Sequence, residues 1–313
     1  MKALIIDEVY EGIGRELGKY MAVEVKLLPT QEELAEMIGD YDVLIMRVDP
    51  AIDKRILDAA KNLKVIGVCS VGLNHIDMDT VKEKGIQVFN APGMNGNAVA
   101  ELTLAKMLEL SRHTIPADYD VTTNKHWDKY RFVGRELRGK TLGILGFGRI
   151  GQRVGELGRA FLMNVVAYDP FLPAHVFEEQ HAQSMSIAEV LRVSDFVTIH
   201  MPLTDETRHM FNAESLASMK PDAVVLNMAR GGIVDEKAMY EALKAGKIGG
   251  YATDVMEDEL AEGGLTENAS MDSPLFECDN FIVTPHLGAQ TVDASRDVGN
   301  YIIDKVKAAL SLS

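Results

Sequence analysis

Several polar residues stand where short apolar runs end, and their types suit acid–base chemistry beside an anion. His200 closes Phe196-Val-Thr-Ile-His, and His286 follows Phe281-Ile-Val-Thr-Pro. Arg230 lies just past Ala223–Asn227, in Asn227-Met-Ala-Arg-Gly-Gly232. Asp254 and Glu259 both follow the run Gly250–Thr253. An imidazole can give or take a proton near neutral pH. The planar fork of an arginine matches a carboxylate, and a carboxylate beside an imidazole would raise its pKa and hold the useful tautomer. The pattern alone selects neither between the two histidines nor between the two acids.

A glycine motif supplies a second kind of chemistry. Thr141-Leu-Gly-Ile-Leu145 runs into Gly146-Phe-Gly-Arg-Ile-Gly151, a strand that turns into a helix. In that setting Gly146 allows the tight turn, Gly148 admits a pyrophosphate close to the backbone, and Gly151 lets helix and strand pack. The helix start offers unpaired N–H groups and partial positive charge. Asp169 comes eighteen residues after Gly151, at the end of the next strand-like run, where a carboxylate meets the adenosine ribose hydroxyls. The same carboxylate repels a 2′-phosphate, so NAD is expected rather than NADP. With a nicotinamide close by, the polar set suits hydride exchange with a 2-hydroxy or 2-keto acid. A similar stretch, Gly12-Ile-Gly-Arg-Glu-Leu-Gly18, has its last glycine one residue too far and Asp7, Glu8 and Glu11 beside it, so it reads as an ordinary turn and helix start.

Elements that could position these residues alternate along the whole chain, as βαβ units do. Strands are expected at Ala3–Ile6, Val23–Leu27, Val43–Met46, Val65–Val68 and Gln87–Phe89. A second set is expected at Thr141–Leu145, Asn164–Tyr168, Phe196–His200, Ala223–Asn227, Gly250–Thr253 and Phe281–Thr284. A helix from Asn97 to about Ile115 lies between the sets, and Val292–Leu310 could return to pack on the first. The expected fold is α/β, with two Rossmann-like or flavodoxin-like parallel-sheet domains and an active-site cleft between them. The boundaries are 1–98 with 287–313 for one domain and 99–286 for the NAD-binding domain.

Composition narrows the partners. The 313 residues are 47% hydrophobic and 25% charged, with a formal net charge of −15. So acidic a surface disfavours nucleic acid and anionic lipid, and leaves each arginine near a cleft as a candidate anion ligand. Neither cysteine has metal-ligand spacing, and no metal is expected. The N-terminus opens on a strand-like run without a leader pattern, and no apolar stretch approaches membrane-spanning length, so a cytoplasmic protein is expected.

Taken jointly, several stretches resemble the D-isomer-specific 2-hydroxyacid dehydrogenase family along essentially the whole chain. They are Val71-Gly-Leu-Asn-His-Ile-Asp77, Asn90-Ala-Pro-Gly-Met-Asn95, Ala100-Glu-Leu-Thr103, Gly143–Gly151, His200-Met-Pro-Leu-Thr204, Asn227–Asp235 and Thr284-Pro-His-Leu-Gly-Ala289. The resemblance implies that Arg230 grips the substrate carboxylate and carbonyl, that His286 is the general acid/base, and that Glu259 is its partner. His200 then takes a structural or cofactor-wall role. It further implies cofactor contacts from Gly146, Gly148, Arg149, Ile150, Gly151, Asp169, Met201, Met228, Asp254 and Gly288, with Asp254 on the nicotinamide carboxamide. Val71 and Gly72 would receive the substrate carboxylate, and Arg47 and Asn95 its distal end.

Within the family, the segment His126–Leu137 looks most like the phosphoglycerate dehydrogenases, and a short form without a regulatory domain is expected. That implies a small anionic substrate, D-3-phosphoglycerate, an activity of serine biosynthesis, and a homodimer whose surface includes the segment through Trp127. Reduction of glyoxylate, hydroxypyruvate or sulfopyruvate is the alternative, and a non-catalytic NAD sensor is the alternative of another class. Two departures stand out: Glu259-Leu260 replaces the usual Glu-Pro, and Val68 stands where some phosphoglycerate dehydrogenases carry an arginine.

Overall fold

The apolar runs become strands of two parallel sheets in the computed structural model, which describes residues 1–257 and 271–312. Two units separate, Met1–Asn95 with Ala289–Ser313, and Gly96–Gly288.

In the first unit the strands are β1 (Lys2–Ile5), β2 (Ala22–Val25), β3 (Val43–Met46), β4 (Val65–Val68) and β5 (Gln87–Asn90). They pair in the order β2-β1-β3-β4-β5, all parallel. Every residue of β3 and β4 is buried, which explains their unbroken apolar sequence: a parallel strand covered on both faces has no polar side. The helix Val292–Ala309 starts at Thr291, whose hydroxyl accepts from the Ala294 amide, and buries Val298, Ile302, Ile303 and Val306. Each fully buried aliphatic side chain of this kind is worth about 1.5–3 kcal/mol. The helix rides close on β4. A Cβ at Gly67 would stand 2.7 Å from Ile302 Cγ2 and 2.8 Å from Ile45 Cδ1.

In the second unit the strands are β6 (Thr141–Leu145), β7 (Asn164–Tyr168), β8 (Gln183–Ser184), β9 (Phe196–Ile199), β10 (Val224–Asn227), β11 (Gly250–Thr253) and β12 (Phe281–Val283). Their order is β12-β11-β10-β9-β6-β7-β8, again all parallel. The chain runs outward from β6 through β7 and β8, then crosses back to β9 on the other side. β6 and β9 therefore flank a topological switch point, where ligands bind open parallel sheets. The sequence pattern missed β8, a two-residue edge strand with both residues exposed and no apolar run to betray it.

The helix Gly96–Arg112 belongs to this second unit and packs along the helix Arg149–Ala160, with Arg153 Nε donating to Asn97 Oδ1 at 2.8 Å. It stops short of the expected Ile115 because His113 adopts a left-handed backbone (φ 53°), and a separate helix, Thr114–Thr122, follows. No described helix is long and apolar enough to cross a membrane.

Candidate active site

The glycine motif sits at the switch point of the larger sheet. Gly146 turns at φ 89°, and a Cβ there would lie 2.8 Å from the His200 carbonyl at the end of β9 and 2.9 Å from Met201 Cγ. Gly151 backs onto the turn itself, since its Cβ would stand 2.2 Å from the Gly146 oxygen. At Gly148 the requirement is different. Nothing lies within 4 Å of where its Cβ would be. The open space adjoins the start of the Arg149–Ala160 helix, and Arg149 and Ile150 are that helix's first residues. Two glycines are thus demanded by the fold, and the third leaves room in front of helix-terminal amides. A pyrophosphate fits that arrangement.

Asp169 follows β7 and braces the turn. Its Oδ2 accepts the Phe147 amide at 2.9 Å and its Oδ1 accepts the Phe171 amide at 3.0 Å. Each oxygen keeps a further lone pair for a donor such as a ribose hydroxyl.

His200 and His286 end in different environments. The His200 Nε2 lies 2.9 Å from Thr198 Oγ1, while its Nδ1 is buried with no partner among the described residues. Burial pushes its pKa down to about 3, so the ring stays neutral at ordinary pH and is a poor proton donor. His286 is exposed, at a left-handed position (φ 55°) just past β12. Its backbone amide donates to the Asp254 carbonyl at 2.9 Å.

Asp254, at the end of β11, is the hub of this corner and is buried to 4% exposure. Its Oδ1 accepts the Thr284 hydroxyl at 2.6 Å and the Leu287 amide at 2.8 Å, and its Oδ2 accepts the Gly288 amide at 2.7 Å. Three donors flanking His286 therefore converge on one carboxylate. Asp254 keeps acceptor capacity on Oδ2 for a carboxamide, whereas the Gly288 amide is already engaged. Sequence reasoning gave Asp254 a cofactor contact but not this tie to the His286 loop.

Arg230 lies in a loop held by Asn227, which the sequence reading passed over. Asn227 is 1% exposed, donates from Nδ2 to the Arg230 carbonyl at 2.9 Å, and accepts the Ala229 amide at 3.2 Å. A polar residue closing a fully buried strand was the clue. Gly231 has no room for a side chain, because its Cβ would stand 2.0 Å from the Met256 oxygen. The exposed Arg230 guanidinium donates to its own neighbour, the Ala229 carbonyl, at 2.7 Å, and pairs with no described carboxylate. Met201 and Met228 are buried at the ends of β9 and β10. Glu259 lies outside the described residues.

The remaining candidates belong to the first unit. Arg47 follows β3 and is half-buried, and its Nη1 donates to Gln290 Oε1 at 3.1 Å. Its amide and that of Val48 donate to Asp7 Oδ2 at 3.0 and 2.9 Å, and its carbonyl accepts the Ser70 hydroxyl at 3.0 Å. Val71 and Gly72 are exposed, with the Val71 carbonyl fixed by Asn90 Nδ2 at 2.6 Å and open space over Gly72. The Asn95 Oδ1 is buried and has no partner among the described residues, which suits an acceptor awaiting a ligand donor.

Similarity to known proteins defines the class. The model of the D-isomer specific 2-hydroxyacid dehydrogenase NAD binding domain matches residues 104–288, and the chain belongs to that family. A D-3-phosphoglycerate dehydrogenase of Methanocaldococcus jannaschii is 42% identical over 311 residues, which cover 99% of this chain and 57% of that protein. The chain thus spans little more than half the length of that relative. A hydroxypyruvate reductase of Thermotoga maritima is 39% identical over 282 residues, covering 90% of this chain and 89% of its own. A D-lactate dehydrogenase of Aquifex aeolicus, solved with NAD and lactic acid, superposes with a TM-score of 0.81 at 30% identity, over 99% of this chain and 96% of that one.

Proposed function

We propose that the chain is an NAD-dependent dehydrogenase that oxidises D-3-phosphoglycerate to 3-phosphohydroxypyruvate. In this reading Gly96–Gly288 is the NAD domain and the other unit binds substrate. Arg230 pairs with the substrate carboxylate and carbonyl oxygen, and the Val71 and Gly72 amides meet the same carboxylate. His286 takes the proton of the 2-hydroxyl as the C2–O bond becomes a carbonyl, and Glu259 stabilises the imidazolium that results. NAD, when bound, accepts the hydride that leaves C2. The Asp254 carboxylate fixes the backbone around His286, so the ring meets the hydroxyl without reorganising its loop. Arg47 and Asn95 receive the phosphate.

The observation that carries this reading is the state of the two arginines. In a chain of net charge −15, Arg230 and Arg47 rest on neutral oxygens, whereas Arg131 and Arg296 are compensated by Asp120 and Asp293. Two guanidiniums with no carboxylate partner among the described residues suit an anionic substrate. A second reading, reduction of hydroxypyruvate, glyoxylate or sulfopyruvate, is favoured by the Thermotoga relative, which the chain matches over nearly its whole length. We also propose a cytoplasmic homodimer. Trp127, Tyr130 and Val133 are 89%, 78% and 74% exposed, and their segment is pinned by Asp120 to Arg131 and His126.

Steady-state turnover of D-3-phosphoglycerate against the keto acids, followed at the nicotinamide absorbance, tests the substrate. His286→Ala should lower kcat by about 10²–10⁴-fold with NAD affinity retained. Arg47→Ala should weaken the phosphorylated substrate selectively, and equal losses for substrates with and without phosphate would remove the phosphate reading. Absence of turnover with any 2-hydroxy acid would favour an NAD-sensing protein instead.

A further inference from the structure

Gln290 lies four residues beyond His286, at the start of the segment that returns to the first unit, and nothing in the glycine or histidine motifs draws attention to it. Its side-chain oxygen is the acceptor for Arg47 Nη1. The backbone of Arg47 is already fixed on both sides, by Asp7 at its amide and Ser70 at its carbonyl. Gln290 adds a third point, on the guanidinium itself. An arginine side chain held at its head has less rotamer freedom left to lose when an anion arrives.

The partner's charge matters as much as its position. Other described arginines meet an acid: Arg131 meets Asp120 at 2.7 Å, Arg153 meets Glu156 at 2.6 Å, and Arg296 meets Asp293 at 2.6 Å. At Arg47 the acid within reach, Asp7, has Oδ2 taken by the Arg47 and Val48 amides and Oδ1 by the Glu8 amide at 2.7 Å. The head group meets an amide oxygen instead. A carboxylate at position 290 would form a charge-assisted pair and screen the cation from any anionic ligand.

We infer that Gln290 is a specificity-determining residue, a neutral holder that keeps the Arg47 guanidinium aimed and unscreened by a carboxylate for a phosphomonoester at the far end of the substrate. The inference rests on the proposed role of Arg47. It assigns Gln290 selectivity between a phosphorylated acid and its dephosphorylated counterpart, with no part in the proton or hydride step.

The test compares kcat/KM for D-3-phosphoglycerate and D-glycerate in the wild type, Gln290→Glu, Gln290→Ala and Arg47→Ala, with inorganic phosphate as a competitive probe. Because Gln290 is exposed, all of its variants should melt close to the wild type. Gln290→Glu should lower the phosphoglycerate-to-glycerate ratio by about 100-fold, through KM rather than kcat, and abolish inhibition by phosphate. Gln290→Ala should lower it by about 10-fold. An unchanged ratio in Gln290→Glu while Arg47→Ala lowers it would overturn the role of Gln290 and leave that of Arg47 standing. If Arg47→Ala also leaves the ratio unchanged, the phosphate reading fails and the inference with it.

Discussion

The two sheets of this chain share a design and treat its most exposed point in opposite ways. Each is parallel, and each has a switch point where the chain reverses direction across the sheet: β1 against β3 in one, β6 against β9 in the other. At the second, Gly148 leaves open space before a twelve-residue helix, so backbone amides face outward for a ligand. At the first, Asp7 turns its own carboxylate onto the amides of Arg47 and Val48. The glycines that follow β1 do not restore a cradle, because the Tyr10 ring lies 2.2 Å from where a Gly12 Cβ would stand and the helix is only six residues long. Glycine spacing is therefore a weak guide to phosphate binding. What distinguishes the two sites is whether open space lies before a helix of several turns.

The sharpest way to break that contrast is a side chain in each glycine turn. Gly148→Val should fold normally, since its φ of −68° suits any residue and the space is open, yet lose NAD affinity by at least about 100-fold in a fluorescence titration. Gly14→Ala, inside the helix Gly12–Leu17 and 3.6 Å from Ile5 Cδ1, should leave NAD affinity untouched and raise stability by about 0.5–1 kcal/mol in denaturant melts.

Removing the internal anion should have an intermediate effect. Asp7→Ala leaves the Arg47 and Val48 amides without their acceptor and should cost about 1–3 kcal/mol. If the contrast is right, added inorganic phosphate should recover part of that loss in the variant and do nothing comparable for the wild type. Recovery of neither kind would mean that Asp7 is an ordinary loop brace.

The smallest effect concerns the floor of the larger switch point. Burial holds the His200 ring near 3, against 6.5 when it is solvated. The unfolded chain therefore takes up a proton below about pH 6.5 that the folded chain refuses. The stability tied to the neutral ring is complete above that pH and is lost as pH falls toward 3. His200→Gln should flatten the fall in Tm between about pH 7 and about pH 5, and a variant as acid-sensitive as the wild type would refute this.

Most of the fold was legible because its signal is local. Runs such as Val43–Met46 and Val65–Val68 announce doubly covered strands, and the turn after β6 carries its glycines in one short stretch. β8 was not legible because both of its residues face solvent. The candidate site divides along the same line. Arg230, His286 and Asp254 could be named from strand ends. The partners that hold Arg47 could not, because Asp7 reaches it across 40 positions and Gln290 across 243. Such contacts are products of the tertiary fold and leave no periodic trace. The choice between Asp254 and Glu259 needed family resemblance, since two acids after one strand look alike in sequence.

The knot around Asp254 has a consequence for recombining this chain with its relatives. The end of β11 and residues 284–288 are bound by three hydrogen bonds to one carboxylate, so they form a single exchangeable cassette despite being separated in sequence. A chimera whose junction falls between them inherits a histidine without its anchor. Crossovers placed outside the pair should yield working hybrids far more often than crossovers placed within it.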